Sequence, residues 1–196
     1  MLAAGLATSS RGGRGGRRGG WGGGWGGAMI YLCRHGQTVF NQARRFQGQV
    51  DSPLTALGRA QAQAMGRTLA GLLAGQPFKV WASPLGRTQE TLALILAEAG
   101  AAPVVSDARL MEVSMGAWDG LDQTEIEAEY PGARDGLAPG SWFFYGPGGE
   151  RFEEFGARLA AVMAEIVDRA AMLALYTAQD GIYALAPAGA VRFISC

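Results

Sequence analysis

The first chemical signal in the chain is Arg34-His35-Gly36, which directly follows a short apolar run. In parallel α/β sheets ligands gather at the carboxyl ends of strands, so an imidazole leaving such an end is set to react. A lone histidine is more often packed than reactive, and its neighbours tip the reading toward function. Thr38 and Asn41 add hydrogen-bonding side chains in the same loop, and Gly36 permits close backbone approach to an anion. Arg87 follows a second apolar run by a few residues, so guanidinium groups from two adjacent strand ends can converge on one group. Two planar forks at different angles suit a phosphate better than a carboxylate. An ordinary surface charge is a poor account of Arg87, because a helix start disfavours cations by a few tenths of a kcal/mol.

Such residues need a scaffold of strands and helices, and the hydrophobic pattern supplies one. Met29 to Cys33 reads as a buried strand, followed by a polar loop to Pro53. Thr55 is a helix N-cap, after which Leu57, Ala60, Ala64, Leu69 and Leu72 keep helical spacing to about Leu73. Phe78 to Ala82 is a second strand, and Thr88 to Ala99 a helix stopped by Gly100 and Pro103. Val104-Val105 and Leu110 to Val113 are short extended pieces, Thr124 to Tyr130 is helical, and Ala133 to Gly149 is a Gly/Pro-rich loop. The clearest helix runs from Glu150 to about Ala170, with Phe152, Phe155, Leu159, Val162 and Ile166 as its stripe. Met172 to Tyr176 is a candidate late strand. Alternating strands and helices predict a mainly parallel sheet covered on both faces.

Composition bounds what the chain can be. Its 196 residues include 48% hydrophobic side chains, enough for one domain with a core. Charges balance at 17 against 17, but Met1 to Gly27 hold four arginines and no acid, leaving the remainder mildly acidic. Nucleic-acid binding is therefore not expected of the domain. The tract SSRGGRGGRRGGWGGGWGG at Ser9 to Gly27 buries too little to order itself, so residues 1–28 are expected to be a disordered extension. An RNA-associated role through its arginines and tryptophans is the competing reading of that tract. Two cysteines 163 positions apart suit a reducing cytosol, and no Cys or His cluster has metal-ligand spacing. No apolar run approaches the roughly 20 residues of a membrane span.

Four motifs carry a family resemblance: RHGQTVFN at Arg34 to Asn41, RFQGQVDSPLTALG at Arg45 to Gly58, SPLGRTQET at Ser83 to Thr91, and MEVSMGAWDG at Met111 to Gly120. In this order they resemble the histidine phosphatase superfamily, in the branch with phosphoglycerate mutases and small broad-specificity phosphatases. The resemblance implies a three-layer α/β/α domain over residues 29–170. It implies that His35 takes the phosphoryl group, Arg34 and Arg87 clamp its oxygens, and Glu112 serves as general acid and then base. Like charge from a bound phosphate would raise the proton affinity of Glu112. Gly36, Gln37, Thr38, Asn41, Gln47, Gly48 and Arg59 match further substrate contacts. A small phosphorylated substrate is implied, with no metal or organic cofactor.

One part of the family pattern is missing. The resemblance implies a second histidine in a Ser-His-Gly turn after a late strand, yet His35 is the single histidine of this chain. Residues 171–196 therefore read as an aberrant or truncated carboxyl segment, with Gln179 and Asp180 where the turn is expected. Loss of one transition-state donor costs about 10² to 10³ in rate. Loss of a buried central strand would approach the whole 5 to 15 kcal/mol stability typical of a domain. The sequence thus predicts hydrolysis of a small phosphomonoester in the cytoplasm, impaired in this chain. A mutase and a non-catalytic phospholigand-binding relic are the alternatives.

Overall fold

Alternation of buried residues along two four-residue strands builds the centre of the molecule. The computed structural model describes residues 30–138, 141–168, 172–175 and 191–194. Strand β1 is Ile30–Cys33; α1 is Val39–Gln42; α2 is Ala56–Leu73; β2 is Lys79–Ala82; α3 is Gly86–Ala99; β3 is Val104–Ser106. Then come α4 at Gln123–Glu129, α5 at Phe152–Asp168, β4 at Met172–Leu175 and β5 at Val191–Ile194. The expected extension and Gln179 and Asp180 lie outside the described residues, as does Tyr176.

All pairings in the five-stranded sheet are parallel, in the order β3-β2-β4-β1-β5. Along β1 and β2, Tyr31, Cys33, Val80 and Ala82 face one side, where Met65 and Leu69 of α2 and Leu92 and Ile95 of α3 cover them. The intervening Leu32 and Trp81 face the other side against Leu110 and against Val162 and Ile166 of α5. Each of those two α5 side chains is fully buried, which stabilises the domain by about 1.5 to 3 kcal/mol apiece. This is the expected three-layer α/β/α arrangement, with strands that read as continuous apolar runs because both faces are covered. Among the described residues no helix is long and apolar enough to cross a membrane.

Segment 172–175 takes the central position: Leu173 registers with Tyr31 on one side and with Val80 on the other. The sheet thus has its middle strand, supplied by a stretch the sequence marked only as a candidate. Strand β5, paired to β1 with Phe193 opposite Leu32, was not expected at all. The predicted extended piece at Leu110 to Val113 is different in kind. Leu110 closes a short 3-10 turn at Ala108–Leu110, and the chain beyond it is irregular, without ladder partners.

Candidate active site

The loop after β1 is fixed by contacts that leave little room for adjustment. A Cβ built on Gly36 would lie 2.1 Å from the Gly58 carbonyl oxygen, and one on Gly58 would lie 2.0 Å from that of Gln37. Glycine at 36 is thus required by the first turn of α2, and its N–H donates to Thr91 Oγ1 at 3.1 Å. The close approach that glycine permits here is to the Gly58 backbone, and the Gly36 N–H is already engaged by Thr91. Gln37 belongs to the same joint, since its carbonyl accepts from the Thr55 amide at 2.9 Å and its Oε1 from the Thr55 hydroxyl at 2.8 Å. Gly58→Ala sets a methyl against the rigid backbone of Gln37, so a loss of about 3 kcal/mol is expected, at the upper end for overpacking. A thermal melt should show a fall on the order of 6 to 12 °C.

His35 itself is buried, and its Nδ1 lies 2.7 Å from the Gly36 carbonyl oxygen. A carbonyl only accepts, so Nδ1 carries the hydrogen and the lone pair resides on Nε2. Burial lowers the imidazole to about 4, helped by the positive fields of Arg87 and Arg34 and opposed by the Gly36 hydrogen bond. The ring is therefore neutral at ordinary pH, as a nucleophile must be.

Arg87, the second residue of α3, is the most deeply held charge in the site, with its side chain 1% exposed. Its Nη2 donates to the Gly48 carbonyl at 2.7 Å and its Nη1 to the Val50 carbonyl at 3.0 Å, while Asp51 lies 3.4 Å from Nη1. Asp51 also accepts from the Gly86 and Arg87 amides, capping a helix whose N-cap Leu85 has no side-chain bond to give. That compensation explains how an arginine is tolerated at a helix start. Among the described residues Arg87 Nε is buried without a partner, a donor awaiting an acceptor. Burial also lowers the proton affinity of Arg87, countered by Asp51 and Glu112.

Glu112 completes the cluster. It is buried, its Oε1 accepts from the Val113 amide at 2.9 Å, and desolvation pushes its carboxyl up to about 7, against the fields of Arg87, Arg34 and Arg158. The sequence expected a bound phosphate to raise it; burial already does so. Arg34 is exposed and shares with Asn41 the wall of a cavity of about 840 Å³ that is also lined by Arg44, Phe46 and Arg134.

The remaining expected contacts divide into two groups. Thr38 and Asn41 form a reciprocal capping box on α1, and the Thr38 hydroxyl lies 2.7 Å from Gln47 Oε1, so all three are tied together beside Arg34. Gly48 has φ of +49°, and a side chain there would run into Asp119. Arg59 is different: it lies on α2, half exposed, with Nε donating to Glu90 Oε1 at 2.7 Å. This ion pair ties α2 to α3 and is the contact the structure gives Arg59. Trp142, Phe143 and Phe144 pack with Phe46, Trp118 and Phe155, consistent with an aromatic core. The sequence did not single out Asp51, Gln49, Asp119, Glu150 or Arg158, whose roles depend on partners distant in the chain.

Comparison with known proteins bears on the family and the fold. Residues 30–183 match the family model of the histidine phosphatase superfamily (branch 1). A Klebsiella pneumoniae protein named "Probable phosphoglycerate mutase GpmB" is 40% identical over 142 residues, covering 71% of this chain and 63% of that protein. The chain thus spans 63% of the length of the curated relatives it matches. Among solved structures, Bacillus stearothermophilus YhfR is 34% identical with a TM-score of 0.66, covering 77% of this chain and 74% of that one. A mycobacterial glucosyl-3-phosphoglycerate phosphatase is also 34% identical, with a TM-score of 0.61 and coverage of 74% and 73%. By its motifs, its sheet and this match, the chain belongs to the histidine phosphatase superfamily, branch 1.

Proposed function

We propose that this chain hydrolyses a small phosphomonoester through a phosphohistidine on His35. The observation that carries the reading is one cluster of three buried groups in complementary states. His35 has its lone pair on Nε2, Arg87 has an unpartnered Nε, and Glu112 holds its proton to about pH 7. Nε2 attacks phosphorus while the bond from phosphorus to the alcohol oxygen breaks, and Glu112 gives that oxygen its proton. The carboxylate so formed takes a proton from water as the water oxygen attacks phosphorus, the N–P bond breaks, and phosphate leaves. Arg34 and Arg87 hold the three equatorial oxygens throughout. No metal or organic cofactor enters this proposal.

Because His35 is the single histidine, one donor of the family pattern is missing from this chain, and turnover is expected to be about 10² to 10³ slower than with that donor present. The identity to proteins named as mutases favours one second reading, isomerisation of a phosphoglycerate. Both readings are tested by offering para-nitrophenyl phosphate and 3-phosphoglycerate, quenching in alkali and mapping the phosphorylated peptide. The expected result is phosphate on His35 and inorganic phosphate as product. Formation of the 2-phospho isomer supports the mutase, and absence of any phosphohistidine makes the chain a phospholigand-binding relic.

A further inference from the structure

The acid and the clamp are held by the same three residues. Gly48 and Val50 give their carbonyls to the Arg87 guanidinium, at 2.7 and 3.0 Å. Between them, Gln49 reaches the other way: its Nε2 donates to the Glu112 carbonyl at 3.1 Å, and its backbone N–H to Asp119 Oδ2 at 3.3 Å. Residues 111–113 have no ladder partners, and the carbonyls of Met111 and Glu112 accept from side chains instead. From the opposite side Arg158 of α5 supplies them, donating to the carbonyls of Arg109 at 2.7 Å, Met111 at 2.6 Å and Glu112 at 3.1 Å, with Glu150 bound to its fork. The Glu112 backbone is thus pinned between a fixed guanidinium and a loop that is itself gripped by Arg87.

We propose that Gln49 is a positioning residue that holds Glu112 in register with the Arg87 clamp, making the Gly48–Val50 tripeptide the link between phosphoryl binding and proton donation. This rests on the reading of Glu112 as the acid. The residue type fits the task. An uncharged amide of this length presents an N–H to the Glu112 carbonyl; glutamate at the same place would set oxygen against oxygen, and leucine would offer no donor. Displacement of a catalytic group by about 1 Å costs on the order of 10²-fold in rate, so a single lost pin is measurable.

The test uses Gln49→Leu and the near-isosteric Gln49→Glu in the full chain, each checked by thermal melting. Carbon-13 NMR of glutamate-labelled protein follows the Glu112 carboxyl, assigned by its disappearance in Glu112→Gln. In the unsubstituted chain a midpoint of about 7 is expected. In both Gln49 variants the midpoint is expected to fall toward the ordinary carboxylate range as the segment opens to water. In parallel, kcat/KM for glycerol 2-phosphate should fall at least tenfold more than for para-nitrophenyl phosphate. An alkoxide needs the proton of Glu112 to leave, whereas nitrophenolate does not. A folded variant whose midpoint stays near 7 overturns the proposal, whatever its turnover. A lack of phosphohistidine in the unsubstituted chain counts against the function proposed above and leaves the titration to decide the role of Gln49.

Discussion

His35→Ala is expected to abolish hydrolysis of para-nitrophenyl phosphate, and Arg87→Lys to lower kcat/KM by about 10² to 10³. The two losses have different origins and separate in the same assay. Without the imidazole no covalent step exists. With lysine at 87 the nucleophile remains, but a point charge replaces a planar fork that binds the carbonyls of Gly48 and Val50 and still has Nε to offer. An ammonium at the end of a shorter reach cannot satisfy both carbonyls and a phosphoryl oxygen. The inhibition constant of orthovanadate, which adopts the five-coordinate geometry of the transition state, should rise in step with the loss of kcat/KM. Each carbonyl left unsatisfied costs about 1 to 3 kcal/mol, so Arg87→Lys should also melt several degrees lower. Activity within tenfold of the unsubstituted chain would place the phosphoryl clamp elsewhere.

How much of this was legible in the sequence depends on how far each feature reaches. Strand β1 and helices α2 and α5 follow from local apolar spacing, and the four motifs locate His35, Arg87 and Glu112. Strand β5 was missed because VRFI is four residues in a small-residue stretch, and only pairing with β1 makes it a strand. The irregular path after Leu110 was read as extended because nothing local shows that the Met111 and Glu112 carbonyls bond to Arg158, more than forty residues on.

The electrostatic readings have a similar limit. The close approach of Gly36 to Gly58 was not visible from the sequence. The ion pair of Arg59 with Glu90, one helix away, was likewise not visible from the sequence. Burial cannot be counted from neighbours in sequence, so the sequence assigned the raised affinity of Glu112 to substrate charge. Burial of the carboxyl within the fold is what sets it.

Those two burials fix the pH dependence. His35 must be neutral and is held at about 4, so kcat/KM falls as pH drops through that value; Glu112 must be protonated and is held at about 7, so kcat/KM falls as pH rises through 7. A bell between about 4 and about 7 is expected. Glu112→Gln should erase the basic limb and lower the rate for an alkyl phosphate by about 10² to 10⁴. A limb that survives that substitution belongs to another group, such as the substrate, whose own second ionisation lies near 6. Stability provides an independent check. The folded-state value of Glu112 is raised, so its contribution is fully present below about 4.5, where the unfolded carboxyl titrates, and is lost as pH rises through 7. That of His35 is lowered, so its contribution is present above 6.5 and lost as pH falls through 4. Replacing Glu112 with glutamine removes the first dependence alone. The variant should therefore melt close to the unsubstituted chain near pH 4.5 and gain roughly 3 kcal/mol over it at pH 8. A catalytic acid kept protonated by burial is a group the fold would hold more cheaply as an amide, and equal melting of the two proteins at pH 8 would show that Glu112 is not so held.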